Sequence, residues 1–145
     1  MADPRAMNHI TETLAEYLAA KQTQAIAAID ARGFIFGAPV AAKLSVPFVP
    51  LRKAGKLPPP VVGTDYALEY GTARLEASTS GATPGQNIAI VDDLLATGGT
   101  AAAGAKLLES LGANVVSIVF LVELTFLSGR DLLPSGVDVF SMVQY

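Results

Sequence analysis

The chain has 145 residues, 10 Lys or Arg against 13 Asp or Glu, a net charge of −3 and a pI near 5.0, which argue against nucleic acid as a main partner. Apolar residues make up 51% and mean hydropathy is +0.43, yet no apolar run approaches the roughly 18 residues of a membrane span, so a buried sheet is the simpler source of the excess. With no cysteine, disulfide and thiolate chemistry are excluded.

Asp3-Pro4 makes a helix start, Asp as N-cap and Pro in the first turn, and Ile10, Leu14, Tyr17 and Leu18 recur at helical spacing to about Lys21. The opening residues have neither a basic nor an apolar leader region, so no signal peptide and a cytoplasmic protein are expected. His9, the sole histidine, falls in this helix with no acid or base partner in view and is expected to be a surface or packing residue. Thr23 to Ile29 predicts a buried strand ending at Asp30-Ala31-Arg32-Gly33, and Phe34 to Leu44 a short apolar helix. Pro47 to Leu51 predicts a further strand, and Arg52, Lys53 and Lys56 follow directly. Three of ten basic residues within five positions exceed an ordinary solvated cluster; with Arg32 they make a group able to hold a pyrophosphate through charge-assisted hydrogen bonds.

Pro58-Pro59-Pro60 leads into a polar stretch, from about residue 58 to 81, that predicts a hairpin lid with strands Tyr66–Tyr70 and Thr72–Ala77 around Gly71. Ile88 to Val91 is a continuous apolar run suited to a strand covered on both faces. At its end stand Asp92 and Asp93, then Ala96-Thr97-Gly98-Gly99-Thr100, then a helix over Ala101 to Leu111 stopped at Gly112. A strand-loop-helix passage of this kind places a site beyond the carboxyl end of the strand. Its glycines let backbone approach a ligand, its threonines add hydroxyl donors, and the helix start favours a dianion. Ionised carboxylates accept hydrogen bonds and donate none, so Asp92 and Asp93 suit vicinal sugar hydroxyls, and a 5-phosphorylated ribose is the implied ligand. Asn114 to Leu124 predicts a strand, Leu127 to Leu133 a short helical stretch, and Val137 to Val143 a last strand. Alternating strands and helices predict an α/β fold with an open parallel sheet and the hairpin attached, as one domain over residues 1–145.

Residues 88–100 resemble the ribose-phosphate signature of the type I phosphoribosyltransferases. Asp30–Phe34, Arg52–Pro58, Leu68-Glu69-Tyr70-Gly71 and Leu121-Val122-Glu123-Leu124 narrow the resemblance, over essentially the whole chain, to the adenine phosphoribosyltransferases. That resemblance implies coupling of adenine to 5-phosphoribosyl-1-pyrophosphate (PRPP), giving AMP and pyrophosphate in purine salvage. It implies the 5-phosphate on Ala96, Thr97, Gly98, Gly99 and Thr100, and the ribose on Asp92 and Asp93. Arg32, Arg52, Lys53 and Lys56 would take the pyrophosphate, Leu94 and Leu124 would lie beside the base, and Glu69 would accept the purine proton. Mg²⁺ would be carried by PRPP and pyrophosphate rather than held directly by protein ligands. A homodimer, in which the cationic loop reaches a neighbour's site, and a cis peptide at Asp30–Ala31 are also implied. Members of the family carry a Phe- and Pro-rich segment ahead of the first helix that covers the adenine. Here Met1 stands almost on the helix start, so the PRPP half of the site has its match and the base half lacks one wall. The alternatives are transfer to another purine base, such as hypoxanthine or xanthine, and a non-enzymatic PRPP-binding regulatory domain.

Overall fold

The computed structural model describes residues 3–67 and 71–145. Helix α1, Pro4–Ala19, starts as the sequence predicts: Asp3 is extended and its side chain accepts from the Arg5 N–H at 2.9 Å. Leu14, Ala15 and Leu18 form its buried stripe, and His9 is exposed. Strand β1, Ala25–Ile29, is buried at every position, so its apolar run has no polar alternation to show. Helix α2, Arg32–Leu44, closes in a left-handed Ser45. It packs so closely on β1 that a methyl at Gly37 would lie 2.6 Å from the Ala28 Cβ.

Strand β2, Phe48–Lys53, extends past the predicted end and takes in Arg52 and Lys53. The hairpin strands β3, Val61–Ala67, and β4, Thr72–Ser78, are longer on their outer side than predicted, and residues 68–70 lie outside the described residues. Rather than standing apart, the hairpin joins the sheet edge, β4 pairing antiparallel with β2 through Arg52 opposite Glu76 and Lys53 opposite Leu75. Strand β5, Asn87–Leu95, also outruns its apolar core, and helix α3 begins at Gly99 and ends at Ser110. Strand β6 spans Asn114–Glu123 and strand β7 Asp138–Gln144. Between them the predicted helical stretch is two 3₁₀ turns, Thr125–Leu127 and Gly129–Leu132, divided by a left-handed Ser128.

The seven strands run in the order β3-β4-β2-β1-β5-β6-β7. The five strands β2, β1, β5, β6 and β7 are mutually parallel and the hairpin is attached antiparallel at one edge, the open parallel sheet with a hairpin that the sequence predicts. Alternate residues of the central strands feed two cores. Ile26, Ala28, Ala89, Val91 and Val119 face α1 and α2, whereas Ala25, Ile29, Ile88, Ile90, Ile118 and Phe120 face α3 and the hairpin. Apolar side chains therefore cover most of both sheet faces, and the polar groups of the candidate site stand at strand ends and in loops. On the α1 side Tyr17 stacks on Phe140 with ring centroids 4.3 Å apart, and its hydroxyl meets Asp138.

Candidate active site

The site forms where β1 and β5, neighbours in the sheet, deliver their carboxyl ends side by side. A cavity of about 430 Å³ opens there, lined by Asp30 to Arg32, Lys53, Tyr66, the acids Asp92 and Asp93, Leu94, and the whole loop Ala96–Thr100. One volume thus gathers the glycine loop, the acid pair and part of the cationic group. Arg52, Lys56 and Leu124 are not in its lining.

The acids do not follow the strand; they belong to it, Asp92 pairing in register with Phe120 and Leu94 with Val122. Two polar residues break an apolar pattern without breaking the ladder, which is why the sequence places the strand end too early. Being in the strand fixes their backbone. The Asp92 carboxylate Oδ1 accepts from the Asp93 N–H at 2.9 Å. Burial pushes the Asp92 pKa up to about 7; the Asp93 N–H opposes this and the Asp93 charge adds to it. Gly33 fits against this acid with no room for a side chain, since a Cβ would come within 2.9 Å of Asp92 Oδ1 and of the Val91 carbonyl oxygen.

Gly98 caps α3 with φ +85°, and no side chain bonds to the helix start. The N–H groups of the first turn are therefore left for an anion, at the positive end of the helix dipole. Thr97 is exposed and Thr100 half-buried at the same mouth. The hairpin reaches over this loop, with the Ala67 carbonyl near Gly99.

The cations are held by acids of the site. Arg32 Nε donates to Asp93 Oδ2 at 2.5 Å. Arg52 Nε donates to Asp30 Oδ2 at 3.0 Å, and Lys56 Nζ lies 3.4 Å from the same oxygen. Arg52 also donates to the Lys56 carbonyl at 3.0 Å, which closes the turn after β2. Burial alone would raise the Asp30 pKa, but Arg52 and Lys56 outweigh it and hold the carboxyl below its ordinary value. Among the described residues Lys53 makes no ion pair and lines the cavity. Asp30 as a clamp is a residue that sequence reasoning missed: it was marked only as part of a loop. Glu76, buried on β4, accepts from the Gly55 N–H at 2.9 Å and ties the cationic turn to the hairpin. The Asp30–Ala31 peptide is cis, as the family resemblance implies.

A second, mainly apolar cavity of about 230 Å³ lies beyond Arg32 and Asp93 and is lined by Phe36, Leu94, Leu121 and Val122. Leu94 borders both cavities. Leu124 borders neither, and its N–H donates to the Leu95 carbonyl at 2.9 Å beside the root of the glycine loop. Glu69 lies outside the described residues. Among the described residues no group of three or more His, Asp or Glu is poised to ligate a metal. Nor, among the described residues, is any helix long and apolar enough to cross a membrane.

A strand that ends in paired acids, followed by a glycine loop and a bare helix start and faced by cations, offers the acceptors and donors that suit a phosphorylated sugar. The family model described as phosphoribosyl transferase domain matches residues 2–131. The adenine phosphoribosyltransferase of Methanococcus maripaludis strain C7 is 51% identical over all 145 residues, which cover 84% of that relative. The crystal structure of the adenine phosphoribosyltransferase from Thermoanaerobacter pseudethanolicus superposes with a TM-score of 0.95 at 52% identity, covering 99% of this chain and 83% of that one. The Saccharomyces cerevisiae enzyme, solved with adenine and D-2,5-dideoxy-2,5-imino-altritol 1,6-bisphosphate, gives 0.89 at 38% identity, covering 97% of this chain and 81% of that one. The chain belongs to the phosphoribosyl transferase family, within its adenine phosphoribosyltransferase group.

Proposed function

We propose that this chain transfers the 5-phosphoribosyl group of PRPP to adenine, releasing AMP and pyrophosphate, as a cytoplasmic step of purine salvage. The observation that carries the assignment is the facing of Asp92 and Asp93 by the Gly98–Thr100 helix start on one side and by Arg32 and Lys53 on the other, around one cavity. The 5-phosphate binds the first-turn N–H groups of α3 and the Thr97 and Thr100 hydroxyls, with Ala96, Gly98 and Gly99 giving it close access. Asp92 and Asp93 accept from the ribose hydroxyls. Arg32 and Lys53 bind the pyrophosphate, joined by Arg52 and Lys56 as these exchange Asp30 for the more highly charged ligand.

Adenine docks beyond Arg32, where Phe36, Leu94, Leu121 and Val122 offer an apolar cavity and Leu124 lies near the loop root. Its ring nitrogen forms the new bond to the anomeric carbon as the carbon–oxygen bond to pyrophosphate breaks. The electron pair of that bond leaves with the pyrophosphate, and the purine N–H proton passes to Glu69. The hairpin, acting as a lid, keeps water from the carbocation-like centre.

The donor set fits Mg²⁺ brought in by the substrate: Asp92 and Asp93 line the cavity as oxygen donors, and a substrate-borne ion needs no all-protein cage. Asp92 and Asp93 would stand beside Mg²⁺ carried in on PRPP, and the chemistry it would supply is charge neutralisation at the leaving group. A two-fold homodimer belongs to the same proposal, supported by the cationic turn after β2 and the high apolar content, and sedimentation velocity tests it.

The deciding experiment is the initial rate of AMP formation from adenine, PRPP and Mg²⁺, compared with hypoxanthine and xanthine. AMP formation with strong preference for adenine is expected. Preferential use of another base would move the assignment to a different purine, and PRPP binding without turnover of any base would make the chain a PRPP-binding regulatory domain.

A further inference from the structure

The glycine loop has a backbone neighbour that lies outside its cavity lining. Gly129, at the start of the second 3₁₀ turn, is buried against it: a methyl on Gly129 would overlap the Ala96 carbonyl oxygen and stand 3.0 Å from Leu95 Cδ1. In the other direction, a methyl on Gly98 would overlap the Gly129 carbonyl oxygen. Two stretches of main chain therefore touch with no side chain between them. Gly129 has an ordinary φ, so space alone requires a glycine there.

The turn that carries Gly129 has few attachments of its own. Thr125 to Ser128 are exposed, Phe126 to 72%, and Ser128 sits in the left-handed region with φ 51°. Thr125 ties its near end, N–H and Oγ1 both donating to the Tyr145 carbonyl at 2.9 and 2.6 Å, and the residue after Gly129 anchors the other. Arg130 Nε and Nη2 donate to the two oxygens of Glu123, each at 2.7 Å, and Nη1 donates to the Val139 carbonyl at 3.2 Å. Glu123 is 4% exposed, accepts also from Gln144 Nε2 at 3.1 Å, and stands in register with Leu95, the residue just before Ala96. A bidentate Arg–carboxylate pair fixes direction as well as distance, which a Lys cannot do.

We propose that Arg130, held by Glu123, is a positioning residue for the 5-phosphate loop: it presses Gly129 against Ala96 and Gly98 and so sets the backbone donors that take the phosphate. The inference rests on the function proposed above and assigns a role to a turn that touches no substrate. Its mark is selectivity between the two anionic ends of the substrate. Disturbing the pair shifts the glycine loop while leaving Arg32 and Lys53 in place.

The test is calorimetric titration of the unaltered chain, Gly129→Ala and Arg130→Lys with ribose 5-phosphate and, separately, with Mg²⁺-pyrophosphate. Ribose 5-phosphate affinity is expected to fall about 10- to 100-fold in both variants, as sub-ångström to ångström displacements of a preorganised site do. Pyrophosphate affinity should stay within about twofold, because Gly129 lies against Ala96 and Gly98 and not against Arg32 or Lys53. In turnover, KM for PRPP should rise with KM for adenine unchanged. Arg130→Lys keeps the charge and tests the proposal if Gly129→Ala does not fold. Unchanged ribose 5-phosphate affinity in the variants, or equal loss of both ligands, would overturn the inference alone. Failure of the unaltered chain to bind ribose 5-phosphate would overturn the functional assignment as well.

Discussion

Arg32 and Asp93 close on each other across the mouth of the site, Nε to Oδ2 at 2.5 Å, so the cation of the first loop occupies the second acid of β5. The same pattern recurs at Asp30, which gathers Arg52 and Lys56. On the function proposed above, substrate would enter by exchange, pyrophosphate taking the cations and ribose the released acid.

The exchange predicts that Arg32→Gln loses ligand affinity without losing much stability. The Arg32 side chain is 67% exposed, and exposed ion pairs contribute about 0–1 kcal/mol to folding. Its hydrogen bonds to a pyrophosphate are charge-assisted, and their loss is expected to cost about 1.5–3 kcal/mol, or roughly 10- to 100-fold in affinity. Calorimetry with Mg²⁺-pyrophosphate and thermal melts should show that split. A large fall in melting temperature with unchanged affinity would make the pair a structural one.

Asp92 predicts a trade between stability and binding. Its pKa of about 7 stands above the ordinary carboxylate value near 3.9, so the folded state holds this proton more tightly than the unfolded chain does. Stability from this group is full below about pH 4 and falls as pH rises from about 4 to 7. Asp92→Asn cannot ionise and should be the more stable protein at pH 8, by on the order of a few kcal/mol, with the gain vanishing toward pH 4. The same variant should raise KM for PRPP, since an amide is a poorer acceptor for ribose hydroxyls. Urea unfolding at pH 4 and pH 8 checks the first half, and equal stability offsets at both pH values would contradict it.

What the sequence made legible was what composition and spacing can carry locally. Apolar runs marked β1, β5 and β6 because both sheet faces are covered, and the Asp92-Asp93 pair and the glycines, picked out together, line one cavity. Strand ends were misplaced where polar residues continue a ladder, at Arg52-Lys53 and at Asp92-Asp93, because hydrogen bonding to a neighbour strand leaves no periodic trace. Contacts between distant segments were out of reach for the same reason. Asp30 meets Arg52 22 residues on, and Ser128-Gly129-Arg130 gives no hint that its glycine lies against Ala96. The helical stretch expected there failed because Ser128 turns left-handed and leaves two short 3₁₀ turns.

Glu69 and Asp93 should separate in kinetics. A general base acts only as the proton moves and contributes about 10²–10⁴-fold in rate, so Glu69→Gln should lower kcat by that order while PRPP affinity stays near its original value. Asp93→Asn should raise KM for PRPP, because its acceptor works in the bound state as well as in the transition state. Single-turnover rates together with PRPP titration check both. A Glu69→Gln protein with unaltered chemistry would reduce Glu69 to a residue of the hairpin.

Glu123 carries a prediction about acid stability. Arg130 holds its carboxyl down to about 2, against the burial that would raise it, with Gln144 assisting. The ordinary Glu value is near 4.3, so between about pH 2 and 4.5 the unfolded chain binds more protons than the folded one, and stability rises with pH. The contribution is complete above about pH 5 and is lost as pH falls toward 2. Glu123→Gln removes the ionised acceptor and turns an N–H₂ group toward the Arg130 donors. It should destabilise the protein by about 1–3 kcal/mol at pH 7, below the unscreened value because Arg130 is itself 41% exposed. Near pH 2 the protonated glutamate and the glutamine present similar groups to Arg130, so the two proteins should converge there. Denaturant unfolding from pH 2 to 7 measures that convergence, and a constant gap across the range would mean that packing, rather than the charge of Glu123, sets the stability of this corner.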